Sequence, residues 1–249
     1  SLNLGESKIV YALSIRMKPF TVVIPYRPGP FFERTLLSLT QSSVVECIVI
    51  ISQEPVHLKM DRCRVLVTAP LPSHETLSLV LGGIRTEYLL LLPGARQSSI
   101  EPEGLERILG VAESTKAGLV YADFYDEREA GKAFHPLNDY QPGSVRDDFE
   151  FGAMMLCSLP AVRKVLKKYG LRPGVKSAGL YDLRLKVAID HAVHHLKEPL
   201  YTVIGTDEPS GSERLFSYVD PRNASVQKEM EAVFTDYLKR IGAYLPPHS

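Results

Sequence analysis

Neither sign of charge prevails in this chain of 249 residues: Lys and Arg total 29, and Asp and Glu total 29. A balanced chain carries no overall field, which argues against nucleic acid as a partner and leaves at most transient, patch-driven membrane association. Cysteine is scarce. Cys47, Cys63 and Cys157 are odd in number and widely spaced, with no CxxC pair, and two of them sit inside the apolar runs ECIVII and MMLCSL. That pattern predicts reduced, buried thiols in a cytoplasmic protein and excludes a cysteine metal site. Long apolar runs are missing too. None approaches the ~20 residues of a membrane span, and KIVYALSI lacks the length and cleavage site of a signal peptide. Residues 1–16 are expected to be a leader or a loosely held segment, ahead of a single domain over 17–249.

What is present is an alternation. The β-branched or leucine-rich runs FTVVI (20–24), CIVII (47–51), RVLVT (64–68), YLLLL (88–92) and GLVYA (118–122) are separated by the amphipathic stretches FFERTLLSL, ETLSLVLGGI and EGLERILGVAE. Strands apolar on both faces, with helices between them, predict an α/β fold whose mostly parallel sheet is covered by helices on both sides. Pro30, Pro102 and Pro160 stand where a first helical turn tolerates proline, and Gly170 closes LPAVRKVLKKYG. After residue 123 the pattern gives way to an irregular polar segment, DFYDEREAGKAFHPLNDYQPGSVRDDFEFG, of a kind more often functional than idle. A strand (GAMMLC), two helices, a strand ending in EPLYTVI and a C-terminal helix follow. In the last, Met230, Val233, Phe234, Tyr237, Leu238 and Ile241 recur at helical spacing before Gly242, a stripe that suits a core or a dimer equally.

In order and in wording these segments resemble a family 2 glycosyltransferase of the GT-A fold. TVVIPYRPGPFFERTLLSL resembles the family's first strand, turn and helix; TEYLLLL, the strand that ends in its Asp-x-Asp; FGAMMLCSLPAVRKV, the strand and helix after its acceptor loop; and GLYDLRLKVA, the helix of its catalytic acid. The match runs over about residues 18 to 205. It implies a GT-A-like nucleotide-diphospho-sugar transferase that passes a sugar from a nucleotide-sugar donor to a glycan or lipid-linked acceptor, with inversion, using Mg or Mn. The family's acids do not carry over. Its uracil-binding Asp falls at Ile51 or Ser52, its metal acids on Pro93 and Ala95, and its Glu-Asp base on Gly179 and Leu180. A departing diphosphate needs a hard cation or fixed positive groups, and an acceptor hydroxyl needs a carboxylate, so replacements are required.

Asp123 ends GLVYA, where open α/β sheets bind ligands, and with Asp126 is the candidate metal or ribose ligand; the competing reading is a strand-end acid that caps a turn. Asp147 and Asp148, in SVRDDFEFG, are candidate general bases beside Arg146, against the alternative of a solvated loop with a surface ion pair. Asp182 is the third candidate base, or an acid favoured by the positive end of a helix. Pro25, Tyr26 and Arg27 after the first strand, and Arg85 before the fourth, are candidate nucleotide or diphosphate contacts, although Arg is equally at home on a surface. His191 and His195, spaced i and i+4, suggest zinc only if one helix carries both, and no second ligand cluster accompanies them. A degenerate glycosyltransferase that binds a glycan or protein is the rival reading. Nucleotidyl transfer fits poorly, since PYRPGPF is no glycine-rich phosphate loop.

Overall fold

A run such as YLLLL has to bury leucines on both sides of a strand, and the computed structural model, which describes residues 18–93, 97–141, 143, 149–204 and 224–246, shows how. Leu90 packs on one face of a central sheet while Leu89 and Leu91 pack on the other. Successive side chains of a strand point to opposite faces, so two apolar layers need an unbroken apolar run.

The strands of that sheet are β1 (Phe20–Pro25), β2 (Val45–Ser52), β3 (Cys63–Val67), β4 (Tyr88–Leu91), β6 (Leu119–Ala122), β9 (Met155–Ser158) and β10 (Val193–Leu196). They lie in the order β10-β6-β9-β4-β1-β2-β3, and all run the same way except β9, which is antiparallel to both its neighbours. One face carries Val22, Ile48, Ile50 and Val120 against Leu36 and Leu39 of α1 (Pro30–Gln41) and Leu105 and Ile108 of α3 (Pro102–Thr115). The other carries Val23, Ile51 and Tyr121 against Leu77 of α2 (His74–Gly83), Val162 of α4 (Leu159–Tyr169) and Leu183 of α5 (Gly179–Asp190). Proline occupies the first turn of α1, α3 and α4, where its missing N–H is no loss.

The segment after residue 123 is more ordered than its composition predicts. It opens as a hairpin of β7 (Phe124–Arg128) and β8 (Gly131–His135), turned at Gly131 with φ 119°, a conformation open to glycine. With β5 (Gln97–Ile100) and β11 (Tyr201–Ile204) it forms a second, four-stranded sheet in the order β5-β11-β7-β8.

The C-terminal helix, α6 (Ala224–Arg240), lies on α5. Val233 and Tyr237 are buried with Val175, Ala178, Tyr181 and Leu185, and Met230, Phe234 and Leu238 pack around them. Ile241 falls beyond the helix and is 43% exposed, so the expected stripe ends at Leu238. Glu229 ties the two helices together: its carboxylate accepts the backbone N–H groups of Lys176 (3.0 Å), Ser177 (2.8 Å) and Ala178 (3.2 Å) just ahead of α5, where an acid complements the helix dipole. The three thiols are free. Cys157 is buried, which pushes its pKa up to about 12, whereas Cys47 and Cys63 are half-buried rather than buried as expected.

Candidate functional site

Because β1, β2, β4, β6 and β10 are parallel, their carboxyl ends share one edge of the sheet. The chain leaves β1 toward β2 on one side and reaches β4 on the other, and such a reversal of strand order opens a crevice at that edge.

An open depression of about 610 Å³ lies there, lined by Tyr26, Ser52 and the loop Gln53 to His57. Pro25 closes β1, and Tyr26 is pinned behind it: its N–H donates to the Ile51 carbonyl at 2.7 Å, and its ring meets Phe32 edge-on with centroids 5.4 Å apart. Ser52 ends β2 and, with Ile51, is one of the two residues at which the resemblance sets the uracil-binding acid. Its hydroxyl is closed on its own turn, donating to the Glu54 carbonyl at 2.7 Å and accepting the Glu54 N–H at 3.2 Å. Arg27 follows Tyr26, is exposed, and pairs with no described residue.

At the other end of the same edge the acids are engaged. Asp123 directly follows β6 with its side chain 3% exposed; Oδ1 accepts the Leu137 N–H at 2.7 Å and lies 2.8 Å from His195 Nε2. His195 Nδ1 lies 2.8 Å from Asp139, and Asp139 accepts from Lys197 Nζ at 2.7 Å. The His195 ring stacks on Tyr121 at 4.7 Å, and the Tyr121 hydroxyl donates to the Asn138 carbonyl and accepts the Tyr140 N–H. Lys197 first, and His195 second, hold the Asp139 carboxyl below the usual aspartate range. This chain of alternating acidic and basic groups fastens residues 137–140 to the sheet edge.

Sequence reasoning missed it. Zinc would require His191 and His195 on one helix, but α5 stops at Asp190 and His195 belongs to β10, as the resemblance to a helix-to-strand passage allows. The local signal is slight, since Val193 is the one β-branched residue of VHHL, and the strand there aims His195 at the end of β6.

The metal assignment of Asp123 and Asp126 does not fit this geometry. Asp123 serves His195 and Leu137, and Asp126 lies 2.8 Å from His135 Nδ1, whose other ring nitrogen is 3.6 Å from Glu150. No three His, Cys, Asp or Glu side chains among the described residues are grouped to hold a metal ion. Pro93 follows β4 without a ligand oxygen on its side chain, and Ala95 lies outside the described residues. The Mg or Mn that the resemblance implies therefore finds no donor set in the described residues.

Asp182 is corrected as a base. It lies in the first turn of α5, 1% exposed, where it accepts the Arg172 N–H at 2.9 Å and pairs with Lys186 at 2.7 Å, both side chains buried. Buried and paired, its carboxylate is already engaged by Lys186 and the Arg172 N–H. The neighbouring position cannot take its place: Gly179 donates to the Pro72 carbonyl at 2.8 Å, and a Cβ there would collide with that same oxygen. Arg85 is corrected as well. It precedes β4 and so sits at the opposite edge of the sheet, where Nη1 donates to the Gly82 and Ile84 carbonyls at 3.0 and 3.1 Å. Asp147 and Asp148, with Arg146, lie outside the described residues.

The class defined by this architecture is a mixed α/β, GT-A-like fold with six helices among the described residues. No protein-family model matches the sequence, and no curated protein matches it. Solved structures are similar. Residues 1–349 of S. aureus TarS, a glycosyltransferase, align at 11% identity with a TM-score of 0.51, covering 89% of this chain and 71% of that one. The same protein in complex with UDP-GlcNAc aligns at 10% identity and a TM-score of 0.51, covering 89% and 72%. Against the longer S. aureus TarS structure the values are 11% and 0.52, and the chain spans 43% of its length. At such identities the likeness establishes the fold, and activity has to be argued from the site. No described helix is long and apolar enough to cross a membrane.

Proposed function

We propose that this chain is a cytoplasmic glycosyltransferase that binds a nucleotide sugar at the carboxyl ends of β1, β2, β4 and β6 and passes the sugar to a glycan or lipid-linked acceptor. The observation that carries this reading is the open pocket of Tyr26 and residues 52–57, at the crevice where a sheet of this topology takes its ligand. The UDP-GlcNAc and UDP complexes of the TarS structures, which share the fold, support a nucleotide-sugar donor.

Transfer proceeds by inversion. The acceptor oxygen bonds to the anomeric carbon as the bond to the diphosphate breaks, and the hydroxyl proton passes to a carboxylate. With Asp182 enclosed, that carboxylate is assigned to Asp147 or Asp148, in the segment between β8 and β9. Asp123 acts indirectly, by holding His195 and the backbone at Leu137.

A second reading has its own support: a degenerate member of the fold that binds a glycan or a protein. It is favoured by Gly179, one of the two positions on which the family's Glu-Asp pair falls, whose packing against Pro72 leaves no space for an acid.

Thermal denaturation with UDP, GDP, ADP, CDP and their sugar conjugates tests the donor site. Ligand at about 100 times its Kd stabilises the native state by about 2.7 kcal/mol, a shift of several degrees. A shift with at least one diphosphate is expected, and its absence across the whole panel would remove the nucleotide site. Release of free nucleotide from the stabilising sugar conjugate, followed chromatographically, then separates transferase from binding module.

A further inference from the structure

We infer that the site holds its nucleotide diphosphate without a divalent cation, the Arg27 guanidinium meeting phosphate charge where the family uses a metal. The inference rests on the nucleotide-sugar reading above and adds how the charge is met.

The donor chemistry argues first. A Mg or Mn ion bound between protein and diphosphate needs at least one or two carboxylates that face the phosphates and are free to ligate. The loop after β4 offers Pro93, and by sequence Gly94, Ala95 and Arg96 after it, none of them an acid. Asp123 is 3% exposed with Oδ1 shared between His195 and Leu137, and Asp126 is committed to His135. Withdrawing either would leave a histidine or an amide without its partner. Glu54 and His57 line the pocket wall, but they lie on one loop beyond β2 and no third ligand joins them among the described residues.

The cation inventory argues second. Among the described residues along this edge, Lys197 is tied to Asp139, and Arg107, in α3, is tied to Glu198 at 2.6 Å. Arg27 is exposed, pairs with no described residue, and directly follows a residue that lines the pocket. A guanidinium presents a planar fork of N–H donors suited to phosphate oxygens and stays charged at any working pH. Two residues on, Gly29 starts α1 with φ 139° and no side-chain cap, so the short loop that carries Arg27 runs straight into that helix. Fixed positive charge supplied this way needs no metal to stabilise a leaving diphosphate.

Calorimetric titration of the whole chain with the stabilising diphosphate, in EDTA and again with manganese, tests this directly. Binding in EDTA within about twofold of that in manganese is expected, and Arg27→Ala should weaken it by about tenfold while Arg27→Lys retains part of it. Because Arg27 is exposed and pairs with no described residue, the melting temperature without ligand should stay at the parent value. Binding that appears only with manganese, or that manganese tightens about tenfold or more and Glu54→Gln then abolishes, overturns the inference while leaving the nucleotide site in place. Unchanged binding in Arg27→Ala overturns the assignment to Arg27. No binding of any diphosphate in either buffer overturns both the inference and the reading beneath it.

Discussion

The two ends of one sheet edge treat polar groups in opposite ways. Beside β1 and β2 the loops leave a pocket: Ser52 is satisfied within its own turn, Glu54 and His57 line the wall, and Arg27 pairs with no described residue. Beside β6, β10 and α5 each candidate acid among the described residues already has partners: Asp123 with His195, Asp126 with His135, Asp182 with Lys186. A carboxylate at a strand end is therefore available for chemistry only where its neighbours do not consume it. Burial decides which, since an enclosed charge must be paired or it destabilises the fold.

The comparison breaks most visibly at the enclosed pair. Asp182→Ala strands Lys186, whose side chain is 4% exposed, and should cost about 3–5 kcal/mol in urea unfolding. Adding Lys186→Met should recover most of that loss. If the double variant is no better than the single, Asp182 does something other than neutralise its partner.

Restoring the family's acids sharpens the contrast. Gly179→Glu drives a side chain into Pro72 and Leu77 and should destabilise by about 1–3 kcal/mol, whereas Ser52→Asp, which can cap the same Glu54 N–H, should stay within about 1 kcal/mol of the parent. Equal costs at the two positions would erase the distinction between an open and a filled end.

The smallest effect concerns the rim. Asp139 titrates below the ordinary aspartate range because Lys197, and then His195, bond to its charged form. A lowered carboxyl pKa contributes stability that is present above the unfolded value of about 3.9 and is lost as pH falls through the folded one. Lys197→Met should move the Asp139 titration upward in an NMR pH series, with little change in the urea midpoint because the group is solvated. An unmoved titration would mean that His195 alone sets it.

Most of the scaffold was legible because its signals are local. The runs at residues 20–24, 47–51, 64–68, 88–92 and 118–122 became β1, β2, β3, β4 and β6 within a residue or two, and the proline and glycine marks bounded their helices. Two things escaped. The hairpin of β7 and β8 lies in a polar stretch, where alternation is carried by Phe124 and Tyr125 against His135 and Phe134 rather than by an apolar run. Of the candidate site residues, Tyr26 lines the pocket and Arg27 follows it; Asp123 at a strand end and Asp182 in a helix were legible without their partners, while Asp126 belongs to the hairpin that escaped.

The amino-acid order alone determined the layering: runs apolar on both faces, alternating with amphipathic stretches, call for a sheet buried between two layers of helices, which hides Leu90 on one face and Leu89 and Leu91 on the other. Which acids remain free was decided by the tertiary structure, because Asp123 meets His195 across 72 residues of chain and Gly179 meets Pro72 across 107 (179 minus 72). Contacts at such separations are selected by the packing of whole elements, and no window along the sequence contains both partners.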